Sequence, residues 1–477
     1  MSASVTMAPT PSVVVPNRPT GVELSRLPSL LSPAKQSFRT IWFALLLGSI
    51  CLEGLGRRYL PAIPATVFYF AKDAVLIVGL VRFRINRDVR KVFASLYGGF
   101  APFLKLGLLW TLVEIVNPDQ QSFVLGLLGF RAYWFWWIAP LVVASVLLDP
   151  VVRRKVVVLQ AAVTTIVAIL AIFQFGAPVD DAVNTYSIVD GQEALAAAVP
   201  TTGRARVAST FSYLSGFTDF ATLVPVLLLS IGIGERNRRA RLAALIATLL
   251  AAAALPMSGS RGPFVISLVL CTMVAWRAGL IFTAVGRRVI MLAVVAGFIS
   301  VFAYPEALQG TMDRFQGDDT SDRVTEFFTI LPPVALVRYS DYPVFGIGTG
   351  MVQNYRQQFG VNPETYGGAE SEVSRILVEL GVGGYLLIWT AKLGLAVVLW
   401  RSSKILMKAG RRAASAAALA YALLGFYGNL VFDHIYAALF FVGFGFILQE
   451  VVQAQVVVAR GLSHEDALHR NQARPAI

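Results

Sequence analysis

The sequence predicts an all-helical protein that crosses a membrane about twelve times, and three observations indicate this fold class. Of its 477 residues, 56% are hydrophobic and only 14% are charged, which is too little charge for the surface of a water-soluble protein. Apolar runs of about 17 residues or more recur along the chain, and each is long enough to cross the hydrocarbon of a bilayer as a helix. Lys and Arg concentrate in every second loop between these runs.

The individual spans follow from the apolar runs. The predicted spans are residues 40–56, 61–81, 93–115, 132–148, 156–175, 211–233, 240–256, 263–283, 289–304, 372–400, 413–432 and 436–454. We therefore expect a single transmembrane helical domain at residues 40–455. Residues 1–39 are polar and rich in Pro, Ser and Thr, without a cleavable signal pattern, and predict a disordered cytoplasmic tail. Residues 456–477 are a second predicted cytoplasmic tail.

The basic residues predict how the spans are oriented. If the N-terminus is cytoplasmic, every inner loop is basic, including "RFRINRDVRK" after the second span and "RNRRAR" at 236–241. Both termini are then cytoplasmic, and the two long loops at 176–210 and 305–371 lie on the outer side. Loops of this length are more often functional than idle. The net charge of +13 follows mostly from this topology, so it does not indicate nucleic-acid binding.

Several arginines lie on the outer side, where the distribution of positive charge does not predict them. Arg261, in "SGSRGP", begins a span that runs inward, and Pro263 suits the first helical turn. In "GRARVASTFSY", Arg204 and Arg206 precede another inward span, and Arg323 lies in the second long loop. Guanidinium groups beside a helix N-terminus predict a site for a membrane-borne diphosphate. The alternative for Arg261 is an anchor at the membrane interface.

Other charged residues of the outer side are interpreted as ordinary solvated loop charge, so no metal site is predicted there. These residues are Arg57, Arg58, Arg314, Asp318, Asp319 and Asp322. The alternatives are a part in the diphosphate site for the arginines and a divalent-cation site for the aspartates.

Glu370 lies one residue before Ser371, where the tenth span begins in "ESEVSRILVELGVGG". A carboxylate at a helix N-terminus is stabilised by the helix dipole, and this is one explanation. The other is that Glu370 acts as a general base that takes a proton from a hydroxyl group. Glu372 is the nearby competitor for this role. His434, on the outer turn between the last two spans, is the alternative base.

Lys72, Asp73 and Lys105 fall inside predicted spans, where charge indicates function or pairing. Lys72 and Asp73 are adjacent in the second span, so they point to different helix faces and are not expected to pair. We expect Lys105, in the third span, to meet Asp73 across helices. Arg131, in "GFRAYWFWW", is expected to lie deeper than the other outer arginines and within an aromatic belt.

Four motifs together resemble a known family: "RVASTFSY" before a span, "SGSRG" opening one, "DYPVFGIGTG" in the long loop, and "ESEVSRILVELGVGG" leading into a late span. Over residues 200–390 the chain resembles the O-antigen ligase and polymerase family of bacterial inner-membrane glycosyltransferases. This resemblance implies a GT-C-like helical architecture, with an active site facing the periplasm and no metal or cofactor. It implies a donor glycan on undecaprenyl diphosphate, handled by Arg206 and Arg261, and a glycan acceptor. A chain-length regulator and a flippase are implied as further partners.

One departure from the family pattern bears on the reaction. The ligases carry a His-Asn-type pair nine residues before the Glu of "ELG"; here that Glu is Glu379, and Glu370 followed by Ser371 takes the place of the pair. We therefore predict a polysaccharide polymerase rather than a ligase that joins the glycan to lipid A core, with Glu370 as the base. A transporter or flippase of lipid-linked sugars is the alternative from another class.

Overall fold

The computed structural model describes most of the predicted spans. The described residues are 31–60, 62–185, 198, 203–282, 286–287, 291, 305–306, 331–338, 344–353, 356–359, 361 and 371–472. For residues 357, 358 and 457–472, the backbone alone is described. In these ranges the secondary structure is helical, without a strand, and an isolated bridge joins Ala198 to Ala205. The all-helical class is therefore confirmed.

Fifteen α-helices lie within the described residues. The first eight are α1 (Pro33–Cys51), α2 (Glu53–Tyr59), α3 (Ala65–Arg82), α4 (Arg87–Tyr97), α5 (Ala101–Glu114), α6 (Phe123–Trp134), α7 (Ala139–Leu147) and α8 (Pro150–Gly176). The others are α9 (Leu214–Gly234), α10 (Arg238–Ala254), α11 (Arg261–Arg277), α12 (Pro332–Arg338), α13 (Glu372–Lys408), α14 (Arg412–Tyr427) and α15 (His434–Gln472).

Polar residues fix where several helices begin. The Asp149 side chain accepts hydrogen bonds from first-turn amides of α8, and Asn237 does the same for α10. Ser371 and Ser374 form a reciprocal capping box at the start of α13. Such caps provide acceptors for amides that have no partner inside the helix. These loop residues therefore set the helix boundaries at both ends of the bundle.

Six helical stretches in the described part of the chain are long and apolar enough to cross a membrane, and two bent helix pairs raise the number to eight. The six are Phe123–Leu147, Pro150–Gly176, Leu214–Gly234, Arg238–Ser258, Glu372–Lys408 and His434–Val456. The expected twelve are not reached in these ranges. α11 and α14 have only 17 and 16 residues, and α3 carries the charges of Lys72, Asp73 and Arg82. The predicted span 289–304 lies, except for residue 291, outside the described residues.

The predicted span 93–115 is not one helix, because α4 and α5 meet at an angle of 92°. The bend falls at the sequence between Tyr97 and Ala101, where Gly98 and Gly99 lower the helix propensity. The first predicted span is also bent, by 65° between α1 and α2. α2 therefore turns away from α1, and this turn carries its charged residues to the candidate site described below.

The two ends of the chain differ from the expected tails in extent. α1 begins at Pro33, within the expected tail at 1–39, and residues 1–30 lie outside the described residues. α15 continues to Gln472, through most of the expected tail at 456–477.

The centre of the bundle is formed by α9 and α15, whose most apolar windows are each 89% buried. Aromatic side chains of these helices, among them Phe217, Phe220 and Phe440, are almost fully buried. α14 packs an alanine-rich face against α13, and small residues allow this close approach of the two backbones. Peripheral helices such as α5 instead expose apolar side chains, including Leu106 and Leu109, as expected of a lipid-facing surface.

Candidate active site

Arg206 brings together the loop before α9 and the turn before α11. Its Nε donates a hydrogen bond to the main-chain oxygen of Ser258 at 3.2 Å, and its Nη2 donates to Oγ of Ser260, also at 3.2 Å. Arg206 itself is half-buried. The two arginine-bearing motifs, "RVASTFSY" and "SGSRG", are therefore neighbours in the fold, although 52 residues separate Arg206 from Ser258.

Arg261 is the first residue of α11 and directly follows Ser260, the partner of Arg206. The chain reverses immediately before it at Gly259, whose φ of 61° lies in the left-handed region that glycine adopts without strain. Ser260 at the N-cap position makes no side-chain cap. The first turn of α11 thus combines main-chain N–H groups with the half-buried Arg261 and the nearby Arg206, an arrangement that suits an anion.

Arg204 lies near the second long loop, because its guanidinium is 3.6 Å from the Glu306 carboxylate. Both side chains are about one-third exposed, at 36% and 35%, so this pair contributes little to stability. Two further predicted site residues, Glu370 and Arg323, lie outside the described residues. The same is true of the loop residues Arg314, Asp318, Asp319 and Asp322.

α2 contacts the loop that precedes α9, residues 203–213, through its two arginines; we call this segment the Arg206 loop. Nη1 of Arg57 donates to Oγ of Ser212 at 3.2 Å, and Nη2 of Arg58 donates to the main-chain oxygen of Phe211. The interpretation of both arginines as ordinary solvated charge is therefore wrong, because each is hydrogen-bonded to the loop that carries Arg206. A signal was present in the sequence, since two consecutive arginines on the predicted outer side depart from the usual charge distribution.

A buried ion pair connects α2 to α3. Lys72 is fully buried, and its Nζ lies 2.6 Å from the Glu53 carboxylate and 2.8 Å from the main-chain oxygen of Tyr69. Glu53 is also 3.5 Å from Arg57. One carboxylate therefore lies between two cations. A buried charge is tolerated in a membrane protein when it is paired in this way.

Asp73 pairs with Arg131 of α6 and not with Lys105. Nε of Arg131 donates to Oδ2 of Asp73 at 2.6 Å, and its Nη1 donates to the Tyr69 hydroxyl at 3.0 Å. Lys105 is exposed on α5. The expected pairing of Lys105 with Asp73 is wrong, because the side chain of Arg131 occupies that carboxylate. The expectation that Lys72 and Asp73 do not pair is confirmed by their separate partners.

His434 begins α15 beside this ion pair. Its ring lies 5.3 Å from the ring of Tyr69, edge to face, and the charges of Arg131, Lys72 and Arg375 all act on it. Arg375, in the first turn of α13, lies 3.5 Å from the centroid of the neighbouring Phe432 ring. Of the predicted accessory residues, the structure thus brings Arg131 and His434 together, and Tyr69 contacts both.

Both carboxylate oxygens of Glu372, at the start of α13, have partners within the protein. Its Oε1 is 2.5 Å from Nζ of Lys392, and its Oε2 accepts hydrogen bonds from the main-chain amides of Val431 and Phe432. The side chain is nearly fully buried. Because both carboxylate oxygens are occupied, this geometry fits a link between α13 and the turn before α15 better than a base that accepts a substrate proton.

The glycine-rich part of "DYPVFGIGTG" packs against a kink in α13. Gly381 adopts φ 65° and ψ −175°, and the main-chain amide of Gly383 donates to the oxygen of Val344 at 3.1 Å. Glu379, which is fully buried, accepts hydrogen bonds from the amide of Val352 and the hydroxyl of Tyr133. The family-like motifs at 341–350 and 370–384 are therefore in direct contact, and Glu379 anchors the loop to the helix.

These contacts define a helical membrane protein with a cationic site where the Arg206 loop meets the first turn of α11. Among the described residues, no group of three or more His, Cys, Asp or Glu side chains is placed to hold a metal ion. The groups gathered here are guanidinium groups with main-chain amides. Such groups bind and stabilise phosphate oxygens.

Residues 221–389 match the family model described as O-Antigen ligase. The resemblance to an O-antigen ligase or polymerase family is therefore confirmed, and it indicates ligase or polymerase-type glycosyltransferase activity in O-antigen assembly. The matched segment contains Arg261, Glu370 and Glu379 and begins after Arg204 and Arg206. No curated protein matches the chain.

Proposed function

We propose that this protein is a polysaccharide polymerase that transfers an oligosaccharide from undecaprenyl diphosphate to a hydroxyl group of an acceptor glycan. The proposal rests on the hydrogen bonds of Arg206 with Ser258 and Ser260, because they place Arg206 beside the turn that carries Arg261. Two guanidinium groups and a helix N-terminus suit the two phosphates of the leaving group. The family match over residues 221–389 supports a lipid-linked glycan as the donor.

In the proposed reaction, Glu370 takes the proton of the acceptor hydroxyl while the hydroxyl oxygen attacks the anomeric carbon of the donor. The bond between that carbon and the diphosphate oxygen breaks, and the bonding electrons leave with the diphosphate. Arg206 and Arg261 stabilise the negative charge that develops there, with Arg204 and Arg323 completing the donor site. Attack opposite the leaving group inverts the anomeric carbon, and the reaction uses no metal or cofactor.

We place this reaction on the periplasmic face of the inner membrane, with both chain termini in the cytoplasm. The basic loops at the opposite end of the spans support this orientation. The complete protein in this proposal has about twelve spans in a GT-C-like arrangement, of which the described residues account for six to eight. A flippase that delivers the donor and a chain-length regulator are the further proposed partners.

Two alternatives are weighed against the polymerase. A ligase that transfers the glycan to lipid A core shares the donor site, but Glu370 stands where ligases carry histidine. A transporter would use polar groups along a path through the bilayer. Lys72 and Asp73 are instead occupied in ion pairs, and Lys105 is exposed on the outside of the bundle. These positions favour the enzyme over the transporter.

The proposal is tested by supplying the purified protein in liposomes with a defined lipid-linked repeat unit. A ladder of products that differ by one repeat is the result expected of a polymerase. A single transfer to added lipid A core would identify a ligase. Movement of the lipid-linked unit across the bilayer without any new glycosidic bond would support the transporter and contradict the enzyme.

A further inference from the structure

A second charged region lies at the other end of α9 from the Arg206 loop, about 30 Å away along the 21-residue helix. Here a cavity of about 440 Å³ opens between α8, α9, α14 and α15. Its lining includes residues of the basic segments "RRK", "RNRRAR" and "KAGRR", all of which are predicted to lie on the cytoplasmic side. The proposed polymerase reaction makes no use of this cavity.

The wall of the cavity is strongly cationic. Five arginines line it: Arg153, Arg154, Arg236, Arg411 and Arg412. The acidic residues that line it are Glu235 and Glu450. Five positive charges against two negative charges leave an excess of three, and a cavity concentrates the resulting field. An anion is therefore the ligand that this wall attracts.

The two acidic residues take part in a fixed ion-pair network. Arg153 is 2.8 Å from the Glu235 carboxylate and 2.9 Å from that of Glu450, and Arg411 also pairs with Glu450. Arg411 donates in addition to the side-chain oxygen of Gln453 at 3.2 Å. This network joins α8, the loop after α9, the loop before α14, and α15. The ion pairs therefore fix the positions of the segments that surround the cavity.

The main chain adds to the positive potential of the cavity. α14 begins at Arg412 without a side-chain cap, and its first-turn residues Ala413 and Ala414 line the cavity. The uncapped amides of a helix N-terminus attract anions. In addition, Nε of Arg153 is buried and has no hydrogen-bond partner among the described residues. The first-turn amides of α14 therefore lie at the same cavity as the arginine side chains.

We infer that this cavity binds a phosphate-bearing anion, supplied either by the headgroup of an acidic phospholipid or by a soluble phosphate. The guanidinium fork matches the geometry of phosphate oxygens. Basic pockets between spans on the cytoplasmic side are suited to acidic lipid headgroups. Apolar residues in the same lining, including Leu227, Ile231 and Phe446, provide a surface for the adjoining acyl chains.

The test uses the purified full-length protein in detergent micelles. Native mass spectrometry measures binding of phosphatidylglycerol, with phosphatidylcholine of the same acyl chains as the uncharged comparison, and calorimetry measures binding of inorganic phosphate. The test variant is Arg236→Gln/Arg412→Gln, because both residues line the cavity and are exposed. The ion pairs of Arg153 and Arg411 with Glu235 and Glu450 use neither of these side chains. The matched control is Arg238→Gln/Arg239→Gln, which removes the same charge from exposed residues outside the lining.

We expect tighter binding of phosphatidylglycerol than of phosphatidylcholine, and at least about a tenfold loss of that affinity in the Arg236→Gln/Arg412→Gln variant. The control should stay within about threefold of the wild type, and Arg236→Lys/Arg412→Lys should retain part of the affinity. Binding of inorganic phosphate alone, with the same response to the variants, supports the site and assigns it to a soluble ligand. Equal binding of both lipids without phosphate binding, or an equal loss in the control, would overturn the inference.

Discussion

The guanidinium of Arg206 donates a hydrogen bond to the Ser260 hydroxyl 3.2 Å away, and Ser260 directly precedes Arg261. This contact places the two proposed diphosphate-binding arginines at one point of the fold. It requires the loop before α9 and the turn before α11 to pack against each other. The site is therefore a product of tertiary structure, and neither segment forms it alone.

Contacts between charged residues continue from this site into the bundle. Arg57 contacts the Arg206 loop and also lies 3.5 Å from Glu53, which forms the buried pair with Lys72. The next residue, Asp73, pairs with Arg131. We expect this network to hold the loop that carries Arg206 in place, and its contribution to stability can be measured separately from its effect on turnover.

Replacing Asp73 with asparagine should destabilise the protein. Arg131 would then lie in a partly buried position without its carboxylate, and breaking such a pair costs about 3–5 kcal/mol. Thermal unfolding in detergent should show a clearly lower melting temperature. The exposed Lys105→Ala variant is the control and should change the free energy of unfolding by no more than about 0.5 kcal/mol.

The double variant Asp73→Leu/Arg131→Met should recover much of this loss, because well-packed apolar residues often replace a buried ion pair without destabilisation. An Asp73→Asn protein that melts at the wild-type temperature would show that the Asp73–Arg131 pair does not stabilise the bundle.

Glu370 and Glu372 should respond differently to the change to glutamine. If Glu370 is the base, Glu370→Gln should leave the melting temperature unchanged and lower turnover by about a hundredfold to ten-thousandfold. Glu372→Gln should instead lower the melting temperature, because it leaves the buried Lys392 without its carboxylate. Initial rates and thermal unfolding at matched protein levels separate the two roles. A Glu370→Gln rate within threefold of wild type would exclude Glu370 and direct attention to His434.

Alanine at position 381 should disrupt the contact between α13 and the glycine-rich loop. The backbone of Gly381 adopts a conformation that is almost restricted to glycine, at a cost of about 1–3 kcal/mol for other residues. An added Cβ would also collide with the main-chain oxygen of Val344. The control is Gly48→Ala in α1, where no atom beyond the neighbouring backbone of the same helix lies within 4 Å of the added Cβ. A Gly381→Ala protein as stable as Gly48→Ala would contradict this account of the kink.

The proposed topology predicts opposite behaviour of reporters at the two ends of the bundle. A periplasm-dependent reporter fused near residue 330 should be active, because the second long loop is placed outside. The same reporter fused after Arg239 should be inactive, since this position lies in the basic segment "RNRRAR" at the start of α10. Activity at Arg239 together with inactivity near residue 330 would reverse the orientation and move the proposed site to the cytoplasm.

Hydrophobic run length was sufficient to predict many of the helices but not their bends. The predicted spans 156–175 and 211–233 correspond closely to Pro150–Gly176 and Leu214–Gly234. The span predicted at 93–115 is instead broken at 92°, because hydropathy averages over the two glycines at the bend. The length of an apolar run indicates whether a segment can cross a bilayer. The direction of the helix axis depends on the local backbone conformation and on packing against neighbouring helices.

The sequence also does not predict which residues pair with the buried charges. Lys72 and Asp73 could be recognised as intramembrane charges, but their partners Glu53 and Arg131 depend on how α2, α3 and α6 pack. The family resemblance implies that Arg206 lies near the "SGSRG" turn. The spacing of these residues along the chain does not predict this contact. Pairing across helices is a property of the fold, and a single sequence reports only which residues need partners.

The most direct test of the central proposal is the initial rate of polymer formation by Arg206→Ala and Arg261→Ala with a defined lipid-diphosphate-linked repeat unit. Loss of a charge-assisted hydrogen bond to phosphate costs about 1.5–3 kcal/mol, so each variant should be about tenfold to a hundredfold slower than wild type. Arg261→Lys should recover part of the rate, because lysine keeps the charge but lacks the bidentate fork. Arg239→Ala, at the other end of the bundle, should keep the full rate. Near-wild-type rates from both Arg206→Ala and Arg261→Ala, in correctly inserted protein, would contradict the account.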